Sequence, residues 1–386
     1  MIAYLIAFLS ATLSATFAHV FYPKSKLVFI FFSLITIMIP SLLAGLRSET
    51  VGTDMNFYLL EIYDKATIYS DKSQIMTDPT FEPVFLGIVF CALTWFKSLE
   101  GILFLLEFVD MTLVYTGIYL LRKRLHMGVA VAIYLLLFFN DSLNLMRQHV
   151  AVSLCFLSFA FLYRKKYIGC GLAFFIALFS HSTSFIFAVP ILAFELLRRK
   201  IVNLNSNVMK TYLIGLPCSL FLIDPLLNLL MSLGVVSEKY SRYLTTENEA
   251  GTRFPLSFVF FFTIFFVLGI YVSNLIPKTW SKKNLISISK IGDTTLFLKR
   301  FFLFDIYSVI VVGMATLVSI WIYRMNIYFQ VLLVGLIPMI FYRLDKEDSK
   351  KIKVVFFFLL FLYWYWTFIH SNNGETYPYH SNILGI

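Results

Sequence analysis

Arg147 and His181 are the two residues of this sequence best placed to act as a pair. A guanidinium binds phosphate through a planar fork that donates two parallel bonds and keeps its charge. An imidazole titrates near neutrality and can serve as acid, base or donor. The stretch from Asn144 to Pro190 carries both: an apolar run follows Arg147, Arg164-Lys165-Lys166 interrupts it, and a second apolar run ends at His181. At a helical rise of about 1.5 Å per residue, Arg147 lies roughly 26 Å from Arg164, and Lys166 roughly 22 Å from His181. Each distance approaches the ~30 Å hydrocarbon thickness of a bilayer. Such a hairpin returns Arg147 and His181 to one membrane face and leaves the basic turn on the other. Basic turns stay cytoplasmic, so the pair is expected to face outward. Costly polar groups gathered at one membrane boundary point to a functional site.

Further candidates flank the pair. Arg47 and Arg324 also sit near the ends of apolar runs on the expected outer side, and Arg242 and Arg253 are outward too. Any one arginine could be snorkelling to lipid headgroups. Several together on the face that topogenic charge avoids suit a lipid-linked diphosphate. In the polar loop, Gly52 permits a tight turn, and Thr53 or Asp54 could cap a helix running through Tyr58 and Glu61. Asp54 is then either a helix cap or a proton acceptor at the outer face. Glu82, in Phe-Glu-Pro, is a second carboxylate of the same kind. Ser182 or Thr183 could cap the helix after His181, offering free amides to an anion.

These residues need a scaffold, and the composition names it. The chain has 386 residues, 59% of them hydrophobic, 18% aromatic and only 14% charged, with mean hydropathy +0.80. Soluble domains carry about 25% charged residues. The apolar runs are continuous rather than alternating, which selects an all-α polytopic membrane fold over a barrel. Runs at 2–22, 27–46, 101–121, 128–139, the two arms of the hairpin, 184–197, 211–236, 254–276, 301–322, 325–342 and 354–370 give about twelve spans. The run 83–96 is short and is expected to lie along the outer interface; most of the 32 Lys and Arg then fall inside. The whole chain, 1–386, is read as a single transmembrane domain. Its outer loops are 47–82 and 237–253, and its cytoplasmic loops 278–300 and 343–353. Asp224-Pro225 predicts a kink or two half-helices within 211–236.

Other readings are weaker. The net charge of +10 is topogenic, and no nucleic-acid-binding module accompanies it. Cys91, Cys155, Cys170 and Cys218 all lie in apolar runs without metal or disulfide spacing. Glu107, Asp110, Asp224 and Asp305 are carboxylates inside apolar runs that could relay protons or pair across the bundle. Glu247 and Glu249 read as a solvated face. Tyr363-Trp364-Tyr365-Trp366 reads as an interfacial aromatic belt, with sugar stacking as the alternative.

The ordered set Gly45-Leu46-Arg47, Val51-Gly52-Thr53-Asp54, Tyr58, Arg147-Gln148, Phe179-Ser180-His181-Ser182, Arg324 with Tyr328-Phe329, and Tyr377-Pro378-Tyr379 resembles the EpsG/Wzy family of bacterial polysaccharide-repeat polymerases. The resemblance implies an inner-membrane enzyme that joins oligosaccharide repeat units carried on undecaprenyl diphosphate, as in O-antigen, capsular or exopolysaccharide synthesis. It implies a periplasmic site and suggests, by analogy, the architecture of lipid-sugar-dependent membrane glycosyltransferases. The residues it marks are Arg47, Asp54, Arg147, Gln148, His181 and Arg324.

Together these readings predict an inverting glycosyl transfer. Asp54, or after it His181, takes the acceptor proton, while Arg147 and Arg324 hold the donor diphosphate. Arg47 shares that task or positions the acceptor. No metal or other cofactor is expected. The expected partners are the lipid-linked oligosaccharide, as donor and acceptor, and the bilayer, with a chain-length regulator as a further candidate and no nucleic acid. A lipid-linked oligosaccharide flippase and an O-antigen ligase are the alternatives.

Overall fold

The computed structural model describes residues 1–68, 72–200, 207–232, 261, 263–265, 267–269, 288–314, 320–343 and 346–385. The described residues form helices and turns and contain no strand. Seven helices among them are long and apolar enough to cross a membrane: Ile2–Phe21, Lys26–Gly45, Leu99–Leu121, Met127–Asn144, Met146–Tyr163, Arg324–Phe341 and Lys350–His370. The chain is a helical membrane protein. It contains two compact units, Met1–Phe185 with Val331–Ile386, and Ile186–Gln330.

In the first unit, α1 (Ile2–Phe21) and α2 (Lys26–Gly45) pack as a hairpin. Ser25 caps α2 by accepting from the Val28 amide, satisfying one of the orphan donors of the first turn. A π-helical turn, Met55–Leu59, leads into α3 (Leu60–Ile68). Next come α4 (Pro83–Trp95), α5 (Leu99–Leu121), α6 (Met127–Asn144), α7 (Met146–Tyr163) and α8 (Tyr167–Ser180). Ser98 caps α5 at the Gly101 amide, 3.1 Å away. The α7–α8 turn closes through Lys165 at φ +59°, with Lys166 N–H donating to the Phe161 carbonyl at 2.9 Å.

In the second unit, α9 (Ala188–Arg198), α10 (Asn207–Ser232), α11 (Ile288–Met314) and α12 (Ile320–Gln330) pack around Phe194, Tyr212, Phe301 and Phe304. Asn326 on α12 donates to the Val309 carbonyl of α11 at 3.0 Å. The first unit resumes with α13 (Leu333–Phe341) and α14 (Lys346–Trp364), a π-helical turn at Tyr365–His370, and the C-terminal tail.

Several details differ from the sequence reading. The segment expected as a span at 184–197 is a 3-10 turn, Ser182–Phe187, followed by the 11-residue α9, whose cap position is Phe187 rather than Ser182 or Thr183. Pro190, placed in the first turn of α9, tolerates that start because its missing N–H would be an orphan there. Both prolines of the 207–232 region lie inside one helix instead of splitting it. Helices also reach into the expected cytoplasmic loops, α11 from Ile288 and α14 from Lys346. At 13 residues α4 is about 20 Å long, less than the ~30 Å hydrocarbon layer. The outer loop at 237–253, with Arg242, Glu247, Glu249 and Arg253, lies outside the described residues, as does most of the expected span at 254–276.

The aromatic run divides. Tyr363 and Trp364 are buried, and Trp364 donates to Asn140 Oδ1 at 2.8 Å, because a buried indole N–H needs a partner. Those two are core residues, not a belt. Tyr365 is exposed, and Trp366 stacks on His370 with ring centroids 4.2 Å apart.

Candidate functional site

Glu82 is the residue on which the site converges. Proline at the first position of α4 needs no amide partner and holds its predecessor extended; Glu82 accordingly has φ −72° and ψ 142°. Helix α4 packs against α5 and α8, so the carboxylate stands at the end of the α7–α8 hairpin away from its basic turn. Arg147, in the first turn of α7, donates from Nη1 to Glu82 Oε2 at 3.1 Å. His181, at the C-terminal end of α8, places Nδ1 3.0 Å from Glu82 Oε1. One carboxylate therefore joins the two residues that the hairpin spacing had paired.

The arginine packs on aromatic rings as well. Its guanidinium lies 4.6 Å from the Tyr58 ring centroid and 5.2 Å from that of Phe81, a cation–π arrangement. Tyr58, Phe81 and Phe85 pack on one another at about 6 Å between centroids. Asp54 occupies the cap position of the Met55–Leu59 turn but makes no side-chain capping bond. Its carboxylate acts instead on Tyr58, one turn away: burial first, then the Asp54 charge, push the Tyr58 hydroxyl well above its ordinary value, keeping it neutral.

Glu82 shows opposed forces. Burial pushes its carboxyl up, but the His181 hydrogen bond and the Arg147 charge outweigh that, and it titrates below the ordinary carboxylate value. A depressed value in the folded state adds stability above the unfolded value near ~4.3, and the gain is lost as pH falls through the lower folded value. In thermal melts of the detergent-solubilised protein, Glu82→Gln should therefore be less stable than wild type at neutral pH. The gap should close below about pH 4; a gap independent of pH would show that the ionised bridge contributes nothing.

Arg47 is only 3% exposed; it lines a small cavity of about 10 Å³ with Glu107, Asp110, Ser142, Met146 and His149. Its Nη2 lies 3.3 Å from Met146 Sδ. Burial, the largest influence, pulls it down to about 10. It lies two residues past the C-terminal end of α2. Asp110 accepts from Tyr134 and Ser153, and Glu107 from Ser142 at 2.7 Å, so both pair inside the bundle. Gln148 is buried beside Arg147 on α7. Arg324 is on α12 of the second unit, whereas the Glu82 cluster is built from the first. Among the described residues, no group of three or more His, Cys, Asp or Glu is arranged to hold a metal ion.

Phe81 and Asn144 escaped the sequence reading. Phe81 sits directly before Glu82, where an aromatic next to a carboxylate looks like ordinary packing. Asn144 opens the stretch ending in Arg147 but has no chemistry of its own.

No curated protein and no solved structure matches the chain. A model of the EpsG family matches residues 2–381, which include every member of the Glu82 cluster, and the chain belongs to the EpsG family.

Proposed function

We propose that this protein is a polysaccharide polymerase that joins oligosaccharide repeat units carried on undecaprenyl diphosphate. Membership of the EpsG family supports the polymerase role. The observation that carries the chemistry is the single carboxylate of Glu82 shared by Arg147 and His181. An Nδ1–H donated to Glu82 leaves His181 Nε2 as the basic nitrogen. The roles are then divided: His181 is the base, Glu82 its orienting group, and Arg147 the ligand of the donor diphosphate. Asp54 secures the neutral Tyr58 hydroxyl against the arginine.

In the reaction the acceptor sugar hydroxyl attacks the anomeric carbon of the donor chain. A new glycosidic C–O bond forms with inversion, the bond to the diphosphate oxygen breaks, and its electron pair leaves with undecaprenyl diphosphate. The hydroxyl proton passes to His181 Nε2. Diphosphate departs readily, and Arg147 neutralises the charge it gains. The site works at the periplasmic face of the inner membrane, consistent with the basic turn of its hairpin lying at the opposite end.

The test is expression in a host that makes the repeat unit but lacks its own polymerase. A ladder of surface glycan lengths restored by the wild type is the expected result. Single capped repeats with no ladder would overturn the polymerase reading. Repeats that reach the outer face only when the protein is present would make it a flippase.

A further inference from the structure

The loop carrying Asp54 is gripped from two sides. On one side stands Asn144, the last residue of α6, whose Oδ1 accepts from Thr53 Oγ1 at 2.6 Å and from the Asp54 amide at 3.0 Å. On the other, the C-terminal tail supplies two carbonyls: Glu375 accepts from the Gly52 amide at 2.9 Å, and His380 from the Ser48 amide at 2.8 Å. Glycine is required at both closest approaches. Gly52 has φ +103°, and a Cβ there would stand 3.1 Å from the Leu143 carbonyl oxygen; Gly374 has φ +74°, and a Cβ there would stand 3.0 Å from Asn144 Nδ2. Asn144 is separated from Arg147 only by Leu145 and Met146, so one side chain fixes the Asp54 loop to the segment that presents the arginine.

Resting on the function proposed above, we infer that Asn144 is a positioning residue: through Thr53 and the Asp54 amide it sets the place of Asp54 and Tyr58 against Arg147. An amide oxygen satisfied by two donors is a stiff joint. A misplacement of about 1 Å at such a joint costs on the order of a hundredfold in rate. Because Tyr58 packs on Arg147, the proposed ligand of the donor diphosphate, the clamp acts on donor binding as well as on turnover.

Three variants test it in membranes supplied with lipid-linked repeat unit extracted from the polymerase-deficient host. Thr53→Val removes the hydroxyl at constant shape, Thr53→Ser restores it, and Asn144→Leu removes the acceptor. Thr53→Val and Asn144→Leu are expected to lower turnover by about tenfold or more and to raise the Michaelis constant for the lipid-linked donor, while Thr53→Ser keeps most of the activity. Amide hydrogen exchange of 48–60 should quicken in the first two variants and stay unchanged in 146–180. Wild-type turnover in Thr53→Val, or an equal loss in Thr53→Ser, overturns the clamp. If Asn144→Leu fails to accumulate, the Thr53 pair decides alone. If wild type forms no polymer, the function proposed above fails, and the exchange rates still decide the clamp: unchanged exchange in 48–60 refutes it.

Discussion

Replacing His181 with alanine is expected to abolish the glycan ladder and leave single repeat units, with protein in the membrane at the wild-type level. Losing a positioned general base costs about 10²–10⁴-fold, enough to take polymer below detection. Glu82→Gln should cost nearly as much. In the proposed mechanism the carboxylate accepts from Nδ1–H and so leaves Nε2 unprotonated. A glutamine amide can donate to Nδ1 instead, placing the proton on Nε2, where it blocks base catalysis. Groups that act as a unit are strongly non-additive, so the double variant Glu82→Gln/His181→Ala should be no worse than His181→Ala. A ladder surviving His181→Ala would remove the imidazole as base and transfer that role to Asp54. Additive losses in the double variant would separate Glu82 from His181 and assign it wholly to Arg147.

The Arg147–His181 relationship was legible in the sequence because it depends on length alone. Two apolar runs joined by a basic turn must bring their far ends together, whatever their packing. Glu82 was visible as a carboxylate before proline, but its partners were not, since nothing local says that α4 packs beside α8. The surroundings of Arg47 were hidden for a related reason. Its position at the end of an apolar run suggested headgroups, yet Glu107, Asp110 and Ser142 offer it a polar interior that hydropathy averages away. Buried carboxylates in a bundle demand partners, so Glu107 and Asp110 were the available clue. Helix boundaries near 182–188 and 288–300 shifted because turn chemistry and amphipathic faces are weak signals beside long apolar runs. Asn144 was unreadable for a deeper reason: a residue that only orients others has no chemistry of its own to recognise.

Replacing Arg147 with lysine is the second large expected effect, a loss on the order of 10²–10³-fold in polymer formed, although charge is conserved. The guanidinium uses one nitrogen on Glu82 and packs against the neighbouring rings of Tyr58 and Phe81. A planar fork anchored this way still has N–H groups directed along fixed lines, which suits two oxygens of a diphosphate. Lysine supplies a mobile point charge with no plane to stack, so both the anchoring and the direction are lost. Kinetics should separate the two partners of the bridge. Arg147→Lys should raise the Michaelis constant for the lipid-linked donor as well as slow turnover. Glu82→Gln removes the anion competing for Arg147, so it should leave donor affinity intact or improved while turnover collapses. Wild-type polymer from the lysine variant would show that the fork is not used, and the diphosphate would then need another ligand. Equal rises in the Michaelis constant for both variants would mean that the bridge shapes the pocket as one piece, with Arg147 placing the donor only while Glu82 holds it.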